Sequence, residues 1–312
     1  MLKFTLKRLL QFAVVLICAS ILIFVMVRMS DTDPIAVILG GKQTSPEVIE
    51  ALKVKFHLDR NLFEQYIIWI TGMLHGDFGL SFQYQSPVAG LVSARVPVTL
   101  GLVLFGSVRA LLAAIPLGVF CALKKNSWID RAVSICILVL AGCPPFLTCI
   151  IMILIVSKVN PAYPFVGTFS NLTEFFTRMA LPSVALAFVM LALAARVTRS
   201  SMIDQQNAPY TQTAIAKGAS TGRIVWKHNI RNAIIPVIAV VSIQIGGMVV
   251  GAVLVENVFS LAGLGTLLID SIKASDYNIV QAITMLLIVI FLVISTVVDI
   301  LYALIDPRIR VK

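Results

Sequence analysis

The chain has 312 residues, of which 59% are hydrophobic and only 13% are charged, and its mean hydropathy is +0.96. Soluble domains are far less apolar, so the composition excludes an ordinary soluble enzyme and indicates a polytopic membrane protein. The formal net charge of +10 comes from 25 Lys and Arg residues against 15 Asp and Glu residues. In a membrane protein such an excess belongs near span ends on one side, so no nucleic-acid partner is expected.

The apolar stretches predict six helical crossings. A bilayer core about 30 Å thick needs roughly 20 apolar helical residues per crossing, and these stretches are continuous rather than alternating, which favours helices over strands. The predicted crossings cover residues 9–27, 96–123, 132–156, 179–195, 233–258 and 279–305. The first follows basic residues and ends in Arg28 and Met29 instead of a small-residue cleavage site, which predicts a retained anchor. The predicted fold class is therefore an all-α polytopic membrane protein with six transmembrane helices.

Basic residues cluster at the amino terminus, at 124–131, after the fourth crossing and in the tail at 306–312. An even number of spans puts all of these on one side, and the positive-inside rule places that side, with both termini, in the cytoplasm. No linker suggests a second domain. We predict one transmembrane domain over 1–312, with the first span in 1–29, an extracytoplasmic segment at 30–95, and a five-span core at 96–305 that contains a cytoplasmic loop at 201–232.

The segment at 30–95 is predicted to form a helical cap on the outer membrane face. Ser45, Pro46 and Glu47 resemble an N-cap, a first-turn proline and a dipole-complementing acid, and they predict a helix through about Phe56. A second helix is predicted in "NLFEQYIIWITGML", with its aromatic residues seated at the membrane interface. The acids that outnumber basic residues here are Asp31, Asp33, Glu47, Glu50, Asp59, Glu64 and Asp77.

Three residues in the crossings are candidates for lining a transport route: Arg109, Pro144 and Glu256. An arginine facing lipid costs about 2.5 to 3.5 kcal/mol or more, so Arg109 should face protein or water. It either lines the route or makes an interhelical hydrogen bond or an ion pair to a neighbouring subunit. Pro144 and Pro145 predict a kink that either shapes a pathway or only helps packing. Glu256 either lines the route or is a helix-end carboxylate at the interface.

Sequence motifs for catalysis or cofactor binding are absent. The stretch "GGKQT" lacks the first glycine spacing and the hydroxyl after the lysine that a P-loop needs. The three histidines are scattered, and the five cysteines lie in apolar segments without metal-ligand spacing. We therefore expect no catalysis, no cofactor and no metal site in this chain.

The stretch "YTQTAIAKGASTGRIVWKHNIRNAIIP" carries four basic residues and no acid between two crossings. Its charge fits the positive-inside rule, but that rule does not explain the small residues around Gly218. The stretch resembles the cytoplasmic EAA loop of ABC importer permeases, in the variant of the dipeptide, oligopeptide and nickel branch. The resemblance covers nearly the whole chain and continues in "FHLDRNLFEQYIIWITGMLHGDFGLSF", "RVPVTL", "ARVTRSSMID", "VENVFSLAGLG", "SDYNIVQ" and "VVDILYALIDPRIR".

The resemblance implies a type I ABC importer permease in a bacterial inner membrane. It implies a second, homologous permease subunit, two cytoplasmic ATPase subunits that bind ATP and Mg, and an extracytoplasmic solute-binding protein. The loop would dock as a coupling helix on an ATPase, while substrate release follows ATP-driven alternation between outward-open and inward-open states. The substrates implied are di- or oligopeptides, nickel or nickel chelates. The coupling residues implied are Gln212, Thr213, Ala214, Ala216, Lys217, Gly218, Arg231 and Asn232.

This sequence departs from the family pattern at several positions. Gln212 stands at the name-giving glutamate, His57 replaces a usual glycine before "LD", and Asn278 replaces a common proline. Because of these changes, the substrate of a relative cannot safely be assigned to this chain. The alternative function is a free-standing ion-coupled carrier or channel, for which acidic relays in the crossings and inverted repeats are expected; neither is found.

Overall fold

The computed structural model describes residues 2–29, 34–39, 44–165 and 171–305. Its first eight helices are α1 (Leu2–Arg28), α2 (Pro34–Leu39), α3 (Pro46–Lys55), α4 (Leu62–Leu74), α5 (Val88–Ser93), α6 (Val96–Leu123), α7 (Trp128–Gly142) and α8 (Pro145–Val159). The remaining helices are α9 (Leu172–Gln206), α10 (Pro209–Ala216), α11 (Thr221–Arg223), α12 (Ile230–Val258), α13 (Leu264–Lys273) and α14 (Tyr277–Ile305), with a π-helical turn at Ile224–Asn229 before α12. Within these ranges the chain forms no strand, and the all-α prediction is confirmed.

Five helical runs in the described ranges are long and apolar enough to cross a membrane. They are Arg8–Arg28, Val88–Leu123, Leu172–Gln206, Thr221–Val258 and Tyr277–Val298. The pair α7 and α8 passes the same test together, and counting it as one crossing gives the predicted six.

The third crossing is broken instead of merely kinked, which corrects the prediction for 132–156. Helix α7 ends at Gly142, α8 begins at Pro145, and the two axes differ by 110°. Cys143 and Pro144 both have extended backbones, with ψ of 119° and 140°. A residue before proline is pushed out of the helical region, and here two successive residues precede a proline. Single prolines at 116, 182 and 236 stay inside helices α6, α9 and α12.

The chain folds into two compact units. The first unit contains Leu100–Leu261 and Val293–Lys312, of which the structure describes the part up to 305. The second unit contains Leu2–Thr99 and Ala262–Leu292. The single transmembrane domain over 1–312 stays a prediction.

Helix α9 is the centre of the first unit, where it packs against α7, α8 and α12. It extends beyond the crossing predicted at 179–195 at both ends, and at its start Asn171 caps the first turn by accepting a hydrogen bond from the Glu174 N–H (2.9 Å). Small residues let α6 approach it closely: a Cβ built on Gly118 would lie 2.5 Å from the Thr198 Cβ and 2.6 Å from the Ala195 carbonyl oxygen.

The core of the second unit joins α5, α13 and the first half of α14. Its buried side chains are Val88, Val92, Leu264, Leu267, Ile279, Ala282 and Ile283. A fully buried carboxylate, Asp276, accepts hydrogen bonds from the Ser81 hydroxyl (2.5 Å) and the Gln83 N–H (3.0 Å). Thr99 accepts one from the Leu264 N–H (2.9 Å) at the start of α13. These bonds attach the loop before α5 and the start of α13 to the long helices.

Helices α3 and α4 confirm the two helices predicted in the segment 30–95. Pro46 opens α3, and Asn61 caps α4 by accepting from the Glu64 N–H (2.8 Å). Tyr66 and Trp69 of α4 lie 5.4 Å and 5.8 Å from the Phe24 ring of α1. Their seating at a membrane interface stays a prediction, and Asp31 and Asp33 lie outside the described residues.

Candidate functional site between α9 and α12

The residues 207–229, here called the coupling segment, join α9 to α12 in the first unit. Pro209 opens α10, and the preceding Ala208 is extended (φ −69°, ψ 145°), as expected before a proline. Proline is tolerated in the first helical position because its missing N–H would have no intrahelical partner there. The sequence therefore separates α10 from α9 after only two non-helical residues.

Gly218 adopts the backbone conformation that ends α10. Its φ is +75°, in the left-handed region that favours glycine. The Ala219 N–H donates to the Ala214 carbonyl (3.1 Å), and the Gly218 N–H donates to the Ile215 carbonyl (2.9 Å). These two bonds form a Schellman motif, which satisfies carbonyls at the helix end. The chain can thus turn sharply after Ala216.

Thr211 attaches α10 to both neighbouring elements. Its side chain is 2% exposed, and its hydroxyl donates to the Gln205 carbonyl of α9 (2.7 Å). The same oxygen lies 2.9 Å from the side-chain oxygen of Asn229, which is 1% exposed in the π-helical turn. Tyr210 adds a hydrogen bond from its hydroxyl to the Gln205 side chain (2.6 Å). One buried threonine therefore fixes α10 against the ends of α9 and α12.

The last turn of α10, beyond Thr211, is open to solvent and partly apolar. Ile215 is 53% exposed, although it is a large apolar side chain. The predicted coupling residues Gln212, Thr213, Ala216, Lys217 and Gly218 are also exposed, while Ala214 is half-buried. Small side chains around an exposed isoleucine allow another protein surface to approach the helix closely.

The π-helical turn connects this face to α12. Val225 is buried in a cluster with Ala122 of α6, Met202 of α9 and Ala233 of α12. The turn therefore rests on the ends of three long helices. Predicted coupling residues Arg231 and Asn232 lie in the first turn of α12, where both are exposed.

An ion pair with a buried carboxylate lies near the end of α9 that leads into the coupling segment. Arg199 of α9 donates through Nε and Nη2 to the two carboxylate oxygens of Asp130, each at 2.6 Å. Asp130 is 2% exposed, lies in the first turn of α7, and also accepts from the Asn126 N–H (3.0 Å). Such a bidentate pair fixes both distance and orientation. It joins α7 to α9 about two turns before α9 ends at Gln206.

Arg109 is half-buried and contacts α9. Its Nη1 donates to the carbonyl oxygens of Met179 (3.3 Å) and Ala180 (3.0 Å) and to the Ser183 hydroxyl. Burial raises the pKa of the nearby Tyr163 hydroxyl above its ordinary value, and the Arg109 charge offsets part of that rise. The hydrogen-bonding alternative for Arg109 thus occurs within this chain, and a role in the route stays a prediction.

Pro144 and Glu256, the other two predicted route residues, have different surroundings. Pro144 is exposed at the break between α7 and α8. The Glu256 side chain is fully buried near the end of α12, and its carbonyl accepts from the Leu261 N–H (2.9 Å). The sequence alone does not indicate that burial. Their roles in a route stay predictions.

Several residues of the site were missed at the level of sequence. Ile215 could have been found as the one large aliphatic side chain in α10, and Asp130 as the one acid in the basic stretch 124–131. Thr211 and Asn229 carry no comparable signal, because their contact depends on how the coupling segment folds back.

The expectation of no metal or cofactor stays a prediction. In the ranges that the structure describes, no three His, Cys, Asp or Glu residues are grouped to hold a metal.

Comparison with known proteins identifies the family of this chain. Residues 114–311 match the family described as binding-protein-dependent transport system inner membrane component, and residues 1–103 match the amino-terminal region of such membrane components. The chain is 36% identical over 312 residues to the glutathione transport system permease protein GsiC of Escherichia coli strain K12 and of Shigella dysenteriae serotype 1 strain Sd197, with the full length of each protein covered. The chain therefore belongs to the family of binding-protein-dependent transport system inner membrane components, the multi-pass permease subunits of ABC importers.

Proposed function

We propose that this permease docks a cytoplasmic ATPase subunit through α10. The observation that carries the proposal is the exposed Ile215, which lies among small exposed side chains one turn after Thr211, the residue that holds α10 against its neighbours. An ATPase cleft that encloses Ile215 would bury its apolar surface, which is favourable by roughly 25 cal/mol per Å². Lys217 and Arg231 offer positive charge for the same partner. ATP and Mg bind to the ATPase subunits, and this chain carries out no ATP chemistry.

Movement of α10 would reach the membrane helices through short, buried connections. Thr211 links α10 to α9 and to the π-helical turn, and Val225 rests on the ends of α6, α9 and α12. The Arg199–Asp130 pair then joins α9 to α7. Because these contacts are buried and directional, α10 cannot move freely without displacing the helix ends.

The assembled importer would contain a second, homologous permease, two ATPase subunits and an extracytoplasmic solute-binding protein. Both termini and the coupling segment would face the cytoplasm, as the distribution of basic residues predicts. ATP binding would favour the outward-open state, in which the binding protein releases substrate, and hydrolysis would restore the inward-open state.

The substrate we propose is a small peptide, with glutathione as the first compound to test. The support is the 36% identity over the full length with permeases named for glutathione transport. Nickel chelates are the second candidate, because the resemblance to the peptide and nickel branch includes them. Solute discrimination would rest largely with the binding protein.

Uptake by proteoliposomes tests the proposal. The chain is co-expressed with its neighbouring subunits, reconstituted, and supplied with labelled glutathione, a labelled dipeptide or a nickel chelate. We expect uptake to require ATP, to fall strongly in Ile215→Glu, and to persist in Ile215→Leu, which keeps the apolar surface. Uptake driven by an ion gradient without ATPase subunits would instead support the carrier or channel alternative. Equal uptake by Ile215→Glu and wild type would refute docking through this face.

A further inference from the structure

A polar pocket of about 250 Å³ lies in the second unit, where α1 ends and α14 begins. Three residues of its lining each carry a buried polar atom that has no hydrogen-bond partner among the residues that the structure describes: Arg28 Nε, Gln65 Oε1 and Gln281 Nε2. Gln65 is 8% exposed and Gln281 is 3% exposed. Buried polar groups are nearly always paired, so these three side chains hold unused hydrogen-bonding capacity beside one cavity.

The charges around this polar pocket favour an anion. Arg28 and Lys55 are cationic, and Asp77 is the one acid in the lining. The Asp77 carboxylate already accepts a hydrogen bond from the Gly79 N–H (2.9 Å). The two free donors on Arg28 and Gln281 suit a phosphate or carboxylate oxygen, and Gln65 Oε1 requires a donor from the same ligand.

Two departures from the family pattern occur in this lining. His57 has φ of +56°, a conformation that costs a residue with a side chain about 1 to 2 kcal/mol relative to glycine. This conformation belongs to the end of α3, where the His57 N–H donates to the Val54 carbonyl (3.1 Å) and the Leu58 N–H donates to the Lys53 carbonyl (2.8 Å). Asn278, in place of the common proline, donates to the Leu80 carbonyl (2.8 Å) and holds the loop that closes one side. Both substitutions add polar groups to the pocket.

An apolar groove of about 430 Å³ adjoins the polar pocket, and Phe78 lines both. Its walls are apolar side chains of α1, α4 and α14, such as Leu16, Ile70 and Met285. Its two hydroxyls, on Ser20 and Tyr66, hydrogen-bond to each other (2.8 Å) and are therefore satisfied. The groove offers a ligand hydrophobic contact only.

The groove runs along membrane-spanning helices. Its lining extends from Ala13 to Ser20 on α1 and from Ala282 to Val289 on α14, whereas Arg28 and Tyr277 mark the ends of those spans. At about 1.5 Å per residue, it therefore reaches about 22 Å from the span end along α1 and about 18 Å along α14. One leaflet of a hydrocarbon core is about 15 Å thick.

We propose that the polar pocket and the apolar groove together bind one anionic glycerophospholipid. The phosphate accepts hydrogen bonds from Arg28 and Gln281, a head-group hydroxyl donates to Gln65 Oε1, and one acyl chain occupies the groove. A soluble anion would fill the polar pocket only. A helix of another subunit could cover the groove, but it would leave the three polar atoms unpaired.

Lipid retention by the complete transporter tests this site. The complex is purified in mild detergent, exchanged against phosphatidylglycerol or phosphatidylcholine, and analysed for bound lipid by native mass spectrometry. We expect one phosphatidylglycerol to be retained at this site, and phosphatidylcholine, whose quaternary ammonium cannot donate a hydrogen bond, to be retained about tenfold less. Arg28→Gln and Gln281→Leu should each weaken retention by about tenfold or more, because the first removes the positive charge that faces the phosphate and the second removes an N–H donor to it.

Matched variants separate head-group recognition from other effects. Arg60→Gln removes an equal charge from an exposed residue outside the pocket and should leave retention unchanged. Leu16→Trp narrows the groove and should also reduce retention, with the polar pocket intact. Intact assembly of each variant complex is verified in the same mass spectra.

Four results would overturn the proposal. The first is equal retention of the two lipids, and the second is equal retention by Arg28→Gln and Arg60→Gln. The third is full competition by free glycerol phosphate, which would identify a site for a soluble anion. The fourth is cross-linking of a Ser20→Cys variant to another polypeptide at full yield in the lipid-loaded complex, which would identify a protein in the groove.

Discussion

Removing Arg199 should destabilise the first unit more than removing the charge of its partner Asp130. In Arg199→Met, the Asp130 carboxylate stays buried at 3% side-chain exposure, loses both 2.6 Å bonds, and keeps only the Asn126 N–H. Leaving an uncompensated buried charge costs about 3 to 5 kcal/mol. In Asp130→Asn, the Arg199 side chain is 30% exposed and can turn to water, so we expect the free energy of unfolding to fall by only about 1 to 2 kcal/mol.

The difference can be measured by unfolding in detergent with a thiol-reactive fluorophore. Cys121 and Cys149 are buried and react on unfolding, whereas Cys18 and Cys136 are exposed and can be blocked first. The double variant should lose less stability than the sum of the single variants, because residues in direct contact are not additive.

The control for this experiment is Arg60→Met, which removes an exposed ion pair to Glu64 at 3.7 Å. Such surface pairs contribute about 0 to 1 kcal/mol. Equal destabilisation by Arg199→Met and Asp130→Asn would refute the assignment of a buried, asymmetric pair. Strict additivity in the double variant would show that the two residues do not depend on each other.

Three further predictions concern single positions. Gly218→Ala should lower the free energy of unfolding by about 1 to 2 kcal/mol, because the φ of residue 218 is +75°. It should also lower ATP-driven uptake more than Gly218→Asn does, since asparagine tolerates the left-handed region. Equal uptake by the two variants would contradict the role of Gly218 in the helix cap. Asp276→Ala removes the carboxylate that accepts hydrogen bonds from Ser81 and Gln83, so the free energy of unfolding should fall by about 2 to 4 kcal/mol. Asp59→Ala, at an exposed ion pair, should leave it nearly unchanged in the same thermal unfolding experiment. Gly118→Val should lower the free energy of unfolding by about 1 to 3 kcal/mol or more, because the added side chain pushes α6 away from α9. An unchanged unfolding midpoint would refute the close contact between these helices.

Hydropathy was sufficient to predict most of the long helices. The second crossing, predicted at 96–123, coincides with α6, because apolar length alone determines such a span. The third crossing was harder to predict, since the effect of consecutive prolines depends on whether neighbouring groups tolerate a complete break. Helices α5 and α13 were missed because each is short, and their stability comes from the shared core around Val88 and Leu264.

The candidate site was predicted in part for a similar reason. Gly218 and the small residues around it are local signals, because a glycine after a short helix has a conformational meaning of its own. The contacts of Thr211 with Asn229 and of Asp130 with Arg199 join residues 18 and 69 positions apart. Neither pairing can be read from one sequence, because tertiary packing decides which distant polar residues meet.

Site-specific cross-linking at position 215 tests the central claim most directly. A photo-crosslinking amino acid is introduced at Ile215 in the complete transporter, with Ile243 of α12, which is 75% exposed within a predicted crossing, as the comparison position. The account predicts a cross-link to the ATPase subunit from position 215 and none from position 243. An assembled, active transporter in which position 215 captures no ATPase would contradict docking through α10.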